Sequence, residues 1–160
     1  MNEIKAPRAW YKPLSIMIQP EHVESINFET KVIGVYMEME GRGFHRLRLS
    51  DFELMWPTGV KDQSGTSIYE RDIAEQTYHV SFGNVHEGTE GSYDGHHIGE
   101  VVITSRGVCL RNPLHYSMDT DETKVVKAYK QVSGYRTKVI GNIYENPHLL
   151  DLSNENCHVD

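Results

Sequence analysis

The chain has 160 residues, a formal net charge of −7 and two cysteines. That length suits one domain or two small ones and supports a core without a disulfide or a metal. The acidic balance argues against broad, nonspecific phosphate binding, which needs a basic surface, and two cysteines with no CxxC spacing point to a reducing compartment.

The N-terminal ten residues lack the apolar segment of a signal peptide. No apolar run approaches the roughly 18 residues of a membrane helix, so a cytoplasmic protein is expected. Residues 31–40 alternate: Ile33, Val35, Met37 and Met39 share one face, with Tyr36, Glu38 and Glu40 on the other. This is the period of a half-buried strand. Gly41-Arg42-Gly43 signals a hairpin turn into residues 44–49, which direct Leu47 and Leu49 inward and Arg46 and Arg48 outward. Phe52, Leu54 and Trp56 line a third strand, limited by Pro57, which has no N–H to donate.

Gln63-Ser64-Gly65-Thr66 is a turn signal. Residues 68–76 fit either a strand or a helical face, and residues 78–82 alternate again. Segment 83–99 carries glycines at 83, 88, 91, 95 and 99. It is expected to be a long polar loop, functional or disordered, because little apolar surface offsets the entropy of ordering it. Ser105-Arg106-Gly107 joins a second hairpin, and residues 122–129 with 136–144 suggest a third, connected through Ser133-Gly134. Asn146 and Pro147 suit the cap and first position of a short helix that docks through Leu149, Leu150 and Leu152.

Two segments resemble a family. Thr58-Gly59-Val60-Lys61-Asp62-Gln63-Ser64-Gly65, continuing to Ile68-Tyr69-Glu70-Arg71-Asp72-Ile73, is similar to the central signature of the YopX family of phage and prophage proteins. Val139-Ile140-Gly141-Asn142-Ile143-Tyr144-Glu145-Asn146-Pro147 resembles that family's closing signature, and Ile4-Lys5 with Arg8-Ala9-Trp10 its usual start. The resemblance implies a mainly β fold: a small SH3-like, partly open barrel with additional strands and a short C-terminal helix. It implies one YopX-like unit over 1–160, with signatures in 1–82 and 122–152, a variable loop region over 83–121 and a polar tail over 153–160. It lends no activity, so function must be argued from a site. Arg71 stands where the family has glycine, which places the turn before Asp72 in question, since arginine adopts positive φ reluctantly.

No catalytic constellation emerges. His86, Asp94, His96 and His97 cluster in sequence, but adjacent side chains of an extended segment point to opposite sides, so His96 and His97 do not readily share one ion. Ser64 has no GxSxG context, Cys109 suits a buried small hydrophobe, and Asp119, Asp121 and Glu122 lack the other features of an EF-hand loop. No catalytic residue, cofactor or metal is assigned. Residues 123–144 contain no acid and carry +5, leaving −12 elsewhere. Lys124, Lys127, Tyr129, Lys130, Arg136 and Lys138 are therefore candidates for nucleic-acid contact. On a strand, Lys124 and Lys130 share a face that Lys127 does not, which predicts a divided patch and weak, salt-sensitive affinity. The expected function is a non-enzymatic phage accessory protein that binds a host or phage protein in the bacterial cytoplasm, without membrane contact. The alternative is a nucleic-acid-binding module.

Overall fold

The computed structural model describes residues 6–117 and 122–151. The chain divides into two compact units, 1–57 and 58–160. Both are built from antiparallel strands, and the described residues contain only single 3-10 turns of helix. The fold is mainly β and partly open, with no closed barrel among the described residues.

Unit 1 holds β1 (Arg8–Tyr11), β2 (Ile16–Ile18), β3 (Val23–Asn27), β4 (Val32–Met39), β5 (Arg42–Arg48) and β6 (Phe52–Met55). They form two three-stranded sheets, β2-β1-β6 and β3-β4-β5. The alternation in β4 does what its pattern requires. Ile33, Val35 and Met37 are buried with Ala9, Tyr11, Ile18 and Phe52, while Tyr36 faces solvent. The β4–β5 turn is Glu40-Gly41, one residue earlier than its glycines suggest. Both residues have positive φ, 54° and 74°, as a tight two-residue hairpin demands.

Unit 2 begins within β7 (Pro57–Lys61), which pairs with β8 (Ser67–Tyr69). The ambiguous residues after Tyr69 are the start of β9 (Asp72–Phe82). With β10 (Gly91–Thr104) and β11 (Gly107–Ser117), β9 builds a long antiparallel ribbon. β14 (Thr137–Asn142) flanks β9, while β12 (Glu122–Val125) and β13 (Tyr129–Gln131) line the outer edge of β11. The expected pairing of 122–129 with 136–144 is thus corrected: both segments add to the ribbon, on opposite edges. One ribbon face packs Ala74, Val101 and Leu110 against Ile68, with Val60, Val108, Val132 and Val139 around them. The strands outrun this core, and β9 is buried at its start and exposed at its end.

The glycine-rich segment 83–99 is not a long loop. A connection with a 3-10 turn at Val85–Glu87 ends at Gly91, where β10 begins. The glycines of β10 serve close approach rather than freedom. A Cβ on Gly91 would meet the Phe82 ring at 2.6 Å, and one on Gly95 would strike the Tyr78 ring. On Gly99 it would press on Pro113 and Leu110 at 3.0 and 3.1 Å. The C-terminal turn is a 3-10 helix, Pro147–Leu150, with Pro147 leading as expected. Asn146 does not cap it through its side chain.

Candidate functional site

The two signature segments meet at the base of the ribbon. Asp62 closes its turn by accepting from the N–H groups of Ser64 and Thr66 at Oδ1, and it reaches β14 by accepting from Val139 N–H at Oδ2. Burial pushes its carboxyl up, but those donors outweigh burial and hold it below the ordinary carboxylate value. Gly65, at φ 82°, completes the turn. Asp72 accepts from Tyr69 N–H, Arg71 N–H donates to the Val101 carbonyl, and Ile143 N–H donates to the Arg71 carbonyl. Asn142 Oδ1 accepts from Tyr144 and Glu145, and Asn146 Oδ1 accepts from Asn142 N–H. These polar side chains serve backbone donors. Their work is architectural.

Arg71 resolves the question raised by the missing glycine. It adopts φ 69°, so the turn keeps the left-handed geometry. Its guanidinium then meets Glu100 at 2.7 Å, and Arg111 meets the other carboxylate oxygen at 2.8 Å. Glu100 is buried, with its side chain 7% exposed, and two charge-assisted hydrogen bonds compensate its lost hydration.

Beyond the core, the face that holds Ala74 and Val101 changes character. Residues directly opposite in an antiparallel pair share a face. His97 lies opposite Gln76 on β9 and His115 on β11, and Gly95 lies opposite Tyr78. Tyr78 reaches across Gly95 and hydrogen-bonds His115 Nε2 at 2.5 Å. Its ring stacks on His115 with centroids 5.3 Å apart, and His115 stacks on His97 at 4.7 Å. Tyr93 meets Tyr78 edge-on at 6.4 Å and Phe82 follows at the same spacing. Partial burial, followed by the charges of His115 and Lys130, lowers the His97 pKa to about 4. His115 is lowered as well, by burial and then by Lys124 and Lys130. Both rings are neutral at neutral pH.

The reverse face holds a hydrogen-bonded chain. Asp94 Oδ1 lies 2.6 Å from His79 Nδ1, and His79 Nε2 lies 3.1 Å from Ser81 Oγ. That order matches an acyl-transfer triad. However, the His79 and Asp94 side chains are 58% and 69% exposed, so water competes for each bond and the orienting acid lacks the burial that makes it effective. The chain braces the exposed strand ends against each other. His96 stacks on Tyr116 at 4.9 Å, also on this face. The two adjacent histidines therefore serve opposite sides, and among the described residues no group of three potential ligands converges for a metal.

The YopX protein family model matches residues 7–151. The chain belongs to the YopX family. A crystal structure of protein EF1440 from Enterococcus faecalis is similar, with a TM-score of 0.49 at 17% identity over 94% of this chain and 100% of that one. No curated protein matches.

In this YopX chain the basic window is divided. Lys124 lies opposite His115, and Lys130 lies opposite Leu110, both on the imidazole face. Lys127 is exposed in the connection between β12 and β13. Tyr129, opposite Arg111, is on the reverse face. Arg136 donates to the Thr77 carbonyl at 3.2 Å and lies over the Tyr135 ring, which gives it an anchoring role. Lys138 lies opposite Glu75. Sequence reasoning weighed His97 only as a metal ligand and missed Tyr78, Tyr93 and His115. The signal for Tyr93 and His97 was the alternation Gly91, Tyr93, Gly95, His97, obscured by the glycines, while Tyr78 and His115 join them through register with β9 and β11.

Proposed function

We propose that this chain is a non-enzymatic accessory protein of a phage or prophage. It acts in the bacterial cytoplasm by docking a host or phage protein on the outer ribbon of unit 2. One observation carries the reading. The signature side chains are spent on turns and strand ties, whereas the outer ribbon gathers Tyr78, Phe82, Tyr93, His97 and His115 on one face beyond the core. Tyrosine and other aromatic side chains are the usual anchors of protein interfaces. The solvent-bathed Ser81–His79–Asp94 chain supports the non-enzymatic part.

Affinity capture from infected or lysogenic cells tests the reading. Wild type is expected to retain a stoichiometric protein that Tyr78→Ser/Tyr93→Ser loses while remaining folded. Equal capture by both would reject the ribbon as the docking face. Nucleic acid is the second reading, favoured by the presence of Lys124 and Lys130 on the same face. Tight binding of an oligonucleotide that survives physiological salt would promote it.

A further inference from the structure

The two long edges of the unit 2 sheet are finished differently. Along one edge run β12 and β13, four and three residues long. Lys124, Lys127 and Lys130 stand exposed there. Short strands and lysines are a common guard against edge-to-edge pairing. On the other edge, β14 covers only residues 72–76 of β9. Its own outward groups are already used: Val139 N–H donates to Asp62, and the Thr137 carbonyl accepts from Gln63 N–H. β9 runs on through Thr77-Tyr78-His79-Val80-Ser81-Phe82, and among the described residues no strand pairs with this stretch on that side. The stretch contains no lysine, carboxylate, proline or glycine, and threonine, tyrosine, valine and phenylalanine all favour strands. The edge is bare and unguarded.

The ladder decides which groups are bare. Successive residues of a strand turn their N–H and C=O groups to alternate sides. The Thr77 carbonyl faces the β14 side, where Arg136 donates to it at 3.2 Å. His79 and Ser81 therefore face outward as well, while Tyr78, Val80 and Phe82 face β10. An antiparallel copy of the same stretch, centred on Val80, sets each His79 opposite a Ser81, and such pairs exchange both of their backbone hydrogen bonds. Tyr78 then lies opposite Phe82 on either side of the centre, as cross-strand aromatic pairs. Phe82, 54% exposed, gains a cover. No charged side chain meets its like. Centring on His79 would need the Thr77 carbonyl, which Arg136 occupies. Centring on Ser81 would need Gly83, whose φ of 94° has left the strand.

We infer that the outer half of β9 pairs antiparallel with the same segment of a second copy of this chain, Val80 opposite Val80, so that one sheet runs through both copies. A segment that complements itself selects its own copy over an unrelated strand. One short strand per copy covers less than the roughly 1,200 Å² of a standing interface, so the pairing is reversible. The inference goes beyond the docking reading, since it uses the edge of the ribbon rather than its face.

Sedimentation velocity of the full chain from about 1 to 300 µM tests the pairing, with wild type expected to pass from monomer to dimer at a Kd on the order of 10–100 µM. Ser81→Pro removes an outward N–H and no bond to β10. It is expected to stay monomeric with an unchanged circular dichroism spectrum. Val80→Lys and Val80→Glu each set like charges opposite one another and are expected to weaken pairing at least about tenfold. An equimolar mixture of these two variants is expected to recover the dimer, a result that misfolding does not produce. Wild type that remains monomeric across the range would overturn the proposal. So would a dimer that Ser81→Pro leaves intact, or a mixture that pairs no better than its components. If monomeric wild type captures a cellular protein that folded Ser81→Pro loses, the edge belongs to a strand of that partner and the second copy is rejected.

Discussion

The base of the ribbon and its outer end use polar side chains in opposite ways. At the base, Asp62, Asp72, Asn142 and Asn146 each accept from backbone N–H groups. At the outer end Tyr78, His97 and His115 bond or stack with one another, as do His79, Asp94 and Ser81. A side chain that satisfies the main chain is part of the fold, and its loss leaves a donor without an acceptor. A side chain that meets mainly other side chains can exchange them for a ligand, although Tyr78 also donates to the Tyr116 carbonyl. The contrast separates architecture from candidate function within one sheet.

Breaking the base should cost most. Asp62→Ala leaves the N–H groups of Ser64, Thr66 and Val139 without their acceptor, and about 3–4 kcal/mol of stability is expected to go, read by urea unfolding. A loss under about 1 kcal/mol would mean that water replaces the carboxylate.

Acid should act at the outer end. His97 titrates near 6.5 unfolded and near 4 folded. The folded state thus favours its neutral form. That stability is complete above the unfolded value and is lost as pH falls from about 6.5 through 4. The loss amounts to at most about 3 kcal/mol from His97, with His115 adding in the same direction. Unfolding of His97→Gln across pH 7 to 4 should show a shallower decline than wild type. An unchanged slope would refute the assignment.

Arg71 sharpens the comparison, because it carries a strained backbone and a useful side chain together. Arg71→Gly loses the Glu100 contact but relieves the positive φ, whereas Arg71→Ala loses the contact and keeps the strain. Alanine is expected to be the less stable by about 1 kcal/mol in chemical denaturation. Equal stability would show that φ 69° costs arginine nothing here.

The smallest effect belongs to the surface chain. Ser81→Ala should change stability by no more than about 0.5 kcal/mol, and a fluorophosphonate probe should leave Ser81 unlabelled. Labelling that requires His79 would demonstrate an activated nucleophile.

The second half of unit 1, β4 to β6, was legible in the sequence, and Ile33, Val35 and Met37 against Tyr36 write half-burial as alternation, whereas the short strands β1, β2 and β3 went unread. The turns at Gly65 and Gly107 were legible because both need positive φ. β10 was not, since glycine signals freedom and close approach with the same letter, and the rings that require Gly91 and Gly95 lie on another strand. The helix cap at Asn146 failed for a related reason: its side chain prefers a backbone donor at Asn142. As for the site, Lys124 and Lys130 were visible as charges, but their meeting with His97 and His115 depends on register across β10, β11, β12 and β13. Local pattern does not encode it.

The seat that Gly91 provides for Phe82 also constrains how this stretch can change over generations. The three atoms nearest to a Cβ built at 91 are all ring atoms of Phe82. A side chain at 91 therefore requires that exposed ring to move, or residue 82 to be small. The two positions should drift in step, a glycine with a ring or a larger residue without one. At 95 that freedom is missing, because the Tyr116 carbonyl oxygen stands 2.6 Å from the same imagined atom. Replacing Tyr78 would not release Gly95, so of two glycines four residues apart, one is held by a negotiable neighbour and the other by the sheet itself.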